Sequence, residues 1–388
     1  INHLFIHLFC NSGIAKQMDE QMVYRYLMYN ELMNEDHPEK TFFKNIFRLK
    51  AAHSLLVTRE GNIITQPYWQ LQVVENKNIT ETEASEKYYS LLNASVNKRL
   101  RSDVAVGCSL IGGIDSSAIL CLMNELKSEK NQLKSFSARF LNSTMDEGEY
   151  IDAISSATQV ENHSVAVDET MWLNDFELLC YHQEEPFDGT SALAQFEVYK
   201  LAKQNGVTVL LDGQGADETL AGYKHYFIPY LRECFLLNRN NFESEKQSIE
   251  QLNKLSITTD SKWKWQSRFP KFAEQTSVLK QKWKLNEAFD FFETDFVMAF
   301  RSKQFSYHLP INLNAALFDS TLGAGLQNLL RSADRNSMAH SREVRLPFLN
   351  HELVEFVFSL PSTFKIKDGY TKWLHRKARS EERRVGKE

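Results

Sequence analysis

The sequence contains two glycine-rich turns, each with an aspartate just past its glycines. The first is Leu110-Ile111-Gly112-Gly113-Ile114-Asp115-Ser116-Ser117. Paired glycines let the backbone come close to a phosphate. A helix beginning there offers unpaired N–H groups and the positive end of its dipole to an anion. Ser116 and Ser117 add hydroxyl donors. Asp115 would repel the anion unless a cation bridged them, and Mg²⁺ favours such hard-oxygen surroundings. No lysine follows the glycines, which excludes the lysine-bearing phosphate loop. The second turn is Asp212-Gly213-Gln214-Gly215-Ala216-Asp217-Glu218. Asp217 is a second carboxylate to set against Asp115. Two acids from two strand ends can hold Mg²⁺ against phosphates and offset developing charge. A plainer reading stands beside each turn: a glycine turn and a capped helix start.

These turns need elements that bring them together. Val104–Leu110 is a short apolar run bounded by Asp103 and the glycines, followed by a helix over Ser116–Leu126. The pattern repeats: a strand over Ser135–Phe140, a helix over Glu147–Thr158, a strand over Ser164–Val167, a helix over Glu197–Gln204 and a strand over Val207–Leu211. Alternation of this kind predicts an α/β fold, a parallel sheet with helices on both faces. Ligands then sit beyond the carboxyl ends of the strands, where both turns lie. No glycine occurs between Gly222 and Gly323, and this interval reads as a helical elaboration. Upstream, Glu83–Arg101 forms a helix with an apolar stripe of Ala84, Tyr88, Leu91, Leu92 and Val96. Residues before about 70 read as a helix from Met18 to Met33 and a hairpin, His53–Thr58 with Asn62–Tyr68, turning at Gly61. Polar residues Asn76–Glu83 form a linker.

The 388 residues suffice for two domains. With 43% hydrophobic and 24% charged residues the chain is not a disordered one. A net charge of -5 gives no basic excess for a nucleic-acid partner. No apolar run reaches the ~18 residues of a membrane span. The five cysteines are scattered and odd in number, and read as buried reduced thiols of a cytoplasmic protein. The start at Ile1 lacks a basic signal-peptide region. Residues 379–388 lack apolar periodicity and read as an artefact of sequencing-adapter read-through, or else as a natural charged tail.

The two turns resemble motifs of one family. The first resembles the S-G-G-x-D-S pyrophosphate loop of PP-loop ATPases, with Ile111 in place of its Ser. The second, through Ala221-Gly222-Tyr223, resembles the asparagine synthetase motif S-G-x-G-[AS]-D-E-x-x-x-G-Y. Leu330 to Asn350 resembles the family's D-R-N-S-M-A-H-S-x-E-V-R-x-P-F-L-D stretch, with Asn350 replacing the last Asp. Phe364 to Leu374 resembles part of its K-x-x-x-G-x-x-K-x-x-L-R-x-A element. Glu185-Pro186-Phe187 with Ser191-Ala192 resembles a stretch near the substrate pocket, and Ser135 to Ala138 the strand that meets adenine. Asp334, Arg335, Glu343 and Arg345 also fit a structural ion-pair network. His340 fits a packed, hydrogen-bonded histidine.

The resemblance implies a PP-loop (HUP-like) synthetase domain over residues 83–378, after a remnant, residues 1–75, of an N-terminal nucleophile-type glutaminase domain. It implies ATP and Mg²⁺, with aspartate converted to asparagine through a β-aspartyl-adenylate, releasing AMP and pyrophosphate. Leu110, Ile111, Gly112, Gly113, Asp115, Ser116, Ser117, Ala138, Gly213 and Asp217 would bind ATP, Asp115 and Asp217 through the metal. Lys372 would stabilise the α-phosphate and the departing pyrophosphate. Many members carry Glu at Gln214 as proton acceptor for ammonia. Gln cannot be that base, and Asp212, at the motif's Ser, is one substitute. Ammonia would come from glutamine through a cysteine that this chain lacks, since Cys10 does not match it. The implied partners are small molecules, with neither nucleic acid nor membrane, and a homodimer of the full-length protein is left open. Two alternatives remain. One is a related adenylating enzyme that closes β-lactams, cyclises peptides or amidates cell walls. The other is a non-catalytic nucleotide-binding homologue, for which Ile111 and Gln214 speak.

Overall fold

The computed structural model describes residues 13, 15–127, 132–141, 143–144, 146–187, 189–237, 241–274, 292–300 and 309–378. Cys10 and the tail 379–388 lie outside them.

Five strands form one parallel sheet: β3 (Val106–Ser109), β4 (Lys134–Arg139), β5 (Glu161–Ala166), β6 (Val209–Leu211) and β7 (Glu343–Arg345), in the order β5-β4-β3-β6-β7. The central strand β3 pairs with β4 on one side and β6 on the other. Both glycine turns therefore leave neighbouring strands at the same edge. The short apolar runs form these strands because both faces are covered. Cys108, Val209 and Leu211 pack into a core with α2 (Glu81–Arg99), α3 (Ile114–Leu126) and α14 (His351–Phe358). Leu210 and Phe136 face the opposite side, against Val198, Tyr199 and Ala202 of α6 (Ser191–Gln204). Alternation along three residues of β6 thus serves two cores.

Helix α2 is well specified by its own sequence. Thr80 and Glu83 form a reciprocal capping box, acids occupy its first turn, and Lys98 and Arg99 its last. Its buried residues include Ala84, Tyr88, Leu92 and Val96, the expected stripe. The remaining helices of the layered part are α4 (Gly148–Thr158) and α5 (Glu169–Gln183). Between Gly222 and Gly323 the described residues form helices, as expected: after α7 (Ala216–Leu220) come α8 (Phe227–Leu236), α9 (Phe242–Asn253), α10 (Ser261–Arg268), α11 (Thr294–Phe300) and α12 (Leu313–Leu322), and beyond Gly323 lies α13 (Ala324–Ala339).

Upstream lie α1 (Glu20–Tyr29) and the antiparallel hairpin of β1 (His53–Val57) and β2 (Ile63–Pro67). The hairpin leaves Leu55, Leu56, Val57, Ile63 and Ile64 exposed. This segment docks through Trp69, whose indole N–H donates to Glu355 at 2.7 Å, and through Phe42 and Arg48, which both bond to Glu185.

Several expectations need correction. Helix α6 begins at Ser191 rather than Glu197, and β5 at Glu161 rather than Ser164. Helix α5 and strand β7 were not anticipated. Cys108 and Cys234 are buried thiols, but Cys180 is exposed on α5. The four charged residues near β7 do not form one network. Arg345 pairs with Glu343 at 2.6 Å, whereas Arg335 pairs with Glu184 at 2.6 Å. Among the described residues no helix is long and apolar enough to cross a membrane.

Candidate active site

Strand β3 delivers the first turn. Beyond Ser109 the Leu110 N–H still bonds to the Phe136 carbonyl at 2.9 Å, and then the chain turns at Gly112 with φ +84°. Only glycine takes that conformation without strain, and a Cβ there would also lie 2.8 Å from Glu147 Cβ. The Ser116 hydroxyl accepts from the Ile111 N–H at 3.2 Å and donates to the Gly113 carbonyl at 3.3 Å. Gly113 caps α3 without a side-chain bond. Asp115, Ser116 and Ser117 are all buried in its first turn.

The second turn leaves β6 and packs directly on the first. A Cβ on Gly213 would lie 3.1 Å from the Ser116 nitrogen and 3.2 Å from Asp115 Cβ. Gly215, at φ +90°, passes beneath Leu349 and starts α7. Asp217 then lies across from Asp115.

Lys372 closes the arrangement. Its ammonium donates to Asp115 Oδ2 and to Asp217 Oδ1, the latter at 2.6 Å. The lysine is buried and its backbone is left-handed, at φ +51°. A non-glycine residue there carries strain of order 1 kcal/mol, held by its surroundings. Burial works against the ammonium, but the two carboxylates override it and hold Lys372 above the ordinary lysine range. Burial raises Asp115 and Asp217, with the lysine opposing it in both. Gly222 makes the pairing possible. A Cβ there would sit 1.8 Å from Asp217 Oδ1 and 2.2 Å from Lys372 Cε.

A cavity of about 430 Å³ opens beside this cluster. Leu110, Ile111, Phe136 and Ala138 line it, as do Gln195, Asp212, Gln214 and Arg331. A larger cavity, about 540 Å³, lies between Arg101, Val106 and Leu133. It is at the amino ends of β3 and β4, the wrong edge of a parallel sheet for a ligand. The expected residues therefore fall into two adjoining groups. Leu110, Ile111, Ala138 and Gln214 face the cavity. Asp115, Asp217 and Lys372 form the ion cluster, with Gly112, Gly113, Gly213, Ser116 and Ser117 as its frame. His340 is buried edge-on to Phe196, 4.3 Å between ring centres, and burial brings it down to about 4. That fits the packed histidine, although its Nε2 lacks a hydrogen bond.

A model of the asparagine synthase family matches residues 87–382. This chain belongs to the asparagine synthase family. It is 27% identical over 376 residues to asparagine synthetase (glutamine-hydrolysing) 1 of Bacillus subtilis (strain 168), covering 93% of this chain and 56% of that one. With asparagine synthetase (glutamine-hydrolysing) 2 of the same strain it shares 29% over 345 residues, covering 84% and 41%. It is also 24% identical over 367 residues to the amidase chyE of Penicillium rubens (strain ATCC 28089 / DSM 1075 / NRRL 1951 / Wisconsin 54-1255), covering 84% and 54%. The chain thus spans about half the length of the curated relatives it matches.

For this asparagine synthase family member, the structure adds residues that motif reading missed. His375 stands at the Leu of the K-x-x-L-R element. Its Nδ1 is 2.9 Å from the Tyr88 hydroxyl, and its Nε2 lies 3.8 Å from Asp115 Oδ1. The departure from Leu was the available signal. Glu185, already singled out by its motif, bonds to Arg48, to Arg331 and to the Phe42 N–H, which ties the upstream segment to the cavity wall. No sequence spacing announces that contact.

Proposed function

We propose that this chain activates a carboxylate with ATP and passes the acyl group to ammonia, forming an amide, AMP and pyrophosphate. One observation carries the reading: Asp115 and Asp217, from adjacent strand ends, converge on the Lys372 ammonium beside a cavity of about 430 Å³.

Asp115 and Asp217 fit a magnesium ion, since two carboxylates already share one cation. Among the described residues no third metal-ligating side chain joins them. Magnesium is commonly held by one or two carboxylates with substrate phosphates completing its shell. When bound, it would offset negative charge on the phosphates.

The chain's own groups supply the rest. Leu110 and Ala138, with Phe136, offer an apolar wall for the adenine. The N–H groups around Gly112 and Gly113, at the uncapped start of α3, donate to pyrophosphate oxygens. Lys372 moves its charge to the α-phosphate and the leaving pyrophosphate. Adenylation is needed because carboxylate oxygen leaves poorly and AMP leaves well. Ile111 supplies no hydroxyl donor, so one hydrogen bond to pyrophosphate is missing.

Aspartate is the proposed acceptor, following the synthetases among the relatives. Similarity to an amidase supports a second reading in which another carboxylate takes its place. Residues 1–75 are proposed as the end of a preceding glutaminase domain, and the exposed apolar strands of the hairpin support this. The test is ATP–pyrophosphate exchange with a panel of carboxylates. Exchange with aspartate alone supports the asparagine reading, exchange with another acid supports the second, and none with any acid refutes both.

A further inference from the structure

We infer that Asp212, and not Gln214, accepts the proton from the attacking amine when the amide bond forms. This rests on the adenylation reading above.

Asp212 ends β6 and lines the nucleotide cavity together with Gln214. Its side chain is buried, with the residue only 1% exposed. Its Oδ2 receives a long hydrogen bond, 3.5 Å, from the Tyr199 hydroxyl, and the Gly213 and Gln214 N–H groups and the Ser109 hydroxyl also favour the charged carboxylate, while Oδ1 makes no hydrogen bond of good geometry. Among the described residues no cation pairs with it. A buried carboxylate without a cation is expensive to keep for structure alone. Its backbone is fixed by the Asp212 N–H bonding to the Arg345 carbonyl at 3.0 Å, so the carboxylate is held at the cavity wall.

The neighbouring position cannot do this work. The Gln214 amide has no carboxylate oxygen to protonate at neutral pH. The proton acceptor has moved two residues toward the strand, onto a position where the motif has Ser.

The environment suits a base. Burial raises Asp212 to about 6, against the pull of the Gln214 and Gly213 N–H groups and of the Tyr199 and Ser109 hydroxyls. The titratable groups facing it, Tyr199 on α6 and Cys108 on β3, are both raised by burial and stay neutral. A base with an affinity near the operating pH is the effective kind.

In the step, the nitrogen lone pair forms the C–N bond to the acyl carbon. The C–O bond to the phosphate breaks, and its electron pair leaves with AMP. The surplus proton on nitrogen goes to the Asp212 carboxylate and from there to water.

The experiment compares two half-reactions in the whole chain with ATP, magnesium, aspartate and ammonia. Pyrophosphate exchange reports adenylation, and amide release reports the second step. For Asp212→Asn the ratio of amide formed to pyrophosphate exchanged falls about 100-fold, the range of a lost general base. Asp212→Ser gives the same result if the amide variant does not fold. Adding Gln214→Glu to Asp212→Asn recovers at least about 10-fold of that ratio. A parallel fall in both half-reactions, a rise in the KM for ATP alone, or an unchanged ratio overturns the assignment. Absence of exchange in the unmutated chain with every carboxylate tried refutes the adenylation reading itself, and the assignment with it.

Discussion

Replacing Lys372 with methionine removes the one cation between Asp115 and Asp217 and leaves the packing volume nearly intact. Both acids then lose that cation, Asp115 the more deeply buried and still 3.8 Å from His375 Nε2. Stranding buried charge in this way costs about 3–5 kcal/mol. Because Asp217 keeps about a third of its side-chain exposure, the lower figure applies, about 3 kcal/mol. For a domain of this size class that lowers the Tm by roughly 6–12 °C. The deficit has a pH signature. Without the lysine, both folded-state carboxylates bind protons more tightly than the unfolded ones do. Their stability contribution is then largest at acidic pH and is lost as pH rises. The gap to the unmutated protein therefore narrows as pH falls. Magnesium gives an independent readout. At about five times its dissociation constant it returns about 1 kcal/mol to Lys372→Met, and less to the unmutated protein, whose lysine competes. Urea melts across pH, with and without magnesium, measure all three. A loss under about 1 kcal/mol, or a deficit flat in pH, refutes the claim that this lysine neutralises the acid pair.

Asp212→Asn stabilises the fold at neutral pH. The rise from 3.8 to about 6 corresponds to about 3 kcal/mol of penalty on the charged form. The penalty is absent below about pH 4 and grows as pH rises to about 6, so melts of the two proteins converge in acid. Ile111→Ser changes an exposed position, with 59% of Ile111 accessible, and shifts stability by less than about 0.5 kcal/mol. It adds a hydroxyl donor and raises pyrophosphate exchange about 10-fold, from a bond worth at least about 1.5 kcal/mol. Gly222→Ala drives a methyl group into Asp217 and Lys372. It costs about 1–3 kcal/mol in a urea melt and removes most exchange activity.

How much the sequence revealed depended on burial. Strands β3 and β6 run directly into the glycine turns and both of their faces are covered, so their sequences show it. Strand β7 has three residues, two of them charged, and is a strand because β6 offers it an edge. Helix α5 buries only Leu179 and Gln183, so its apolar stripe is faint. The site divides the same way. The glycines and aspartates mark themselves by spacing. Lys372 could be placed only by resemblance, because local patterns do not report contacts with Asp115 across 257 residues of chain. Gly222 shows its purpose only once the side chains that would collide with it are in position.

The separation between Asp115 and Lys372 also sets an order of assembly. The chain leaves the sheet after β6, builds the helical interval, and returns for β7 and then for Lys372. Closing so long a loop costs little more entropy than closing one half its length, but it makes the contact late to form. The carbonyl that fixes Asp212 belongs to Arg345 in β7, so that carboxylate waits for the same return. A chain still emerging from the ribosome would hold both glycine turns but not the charge that completes them. The nucleotide chemistry proposed here therefore switches on only when almost the last described residue has docked.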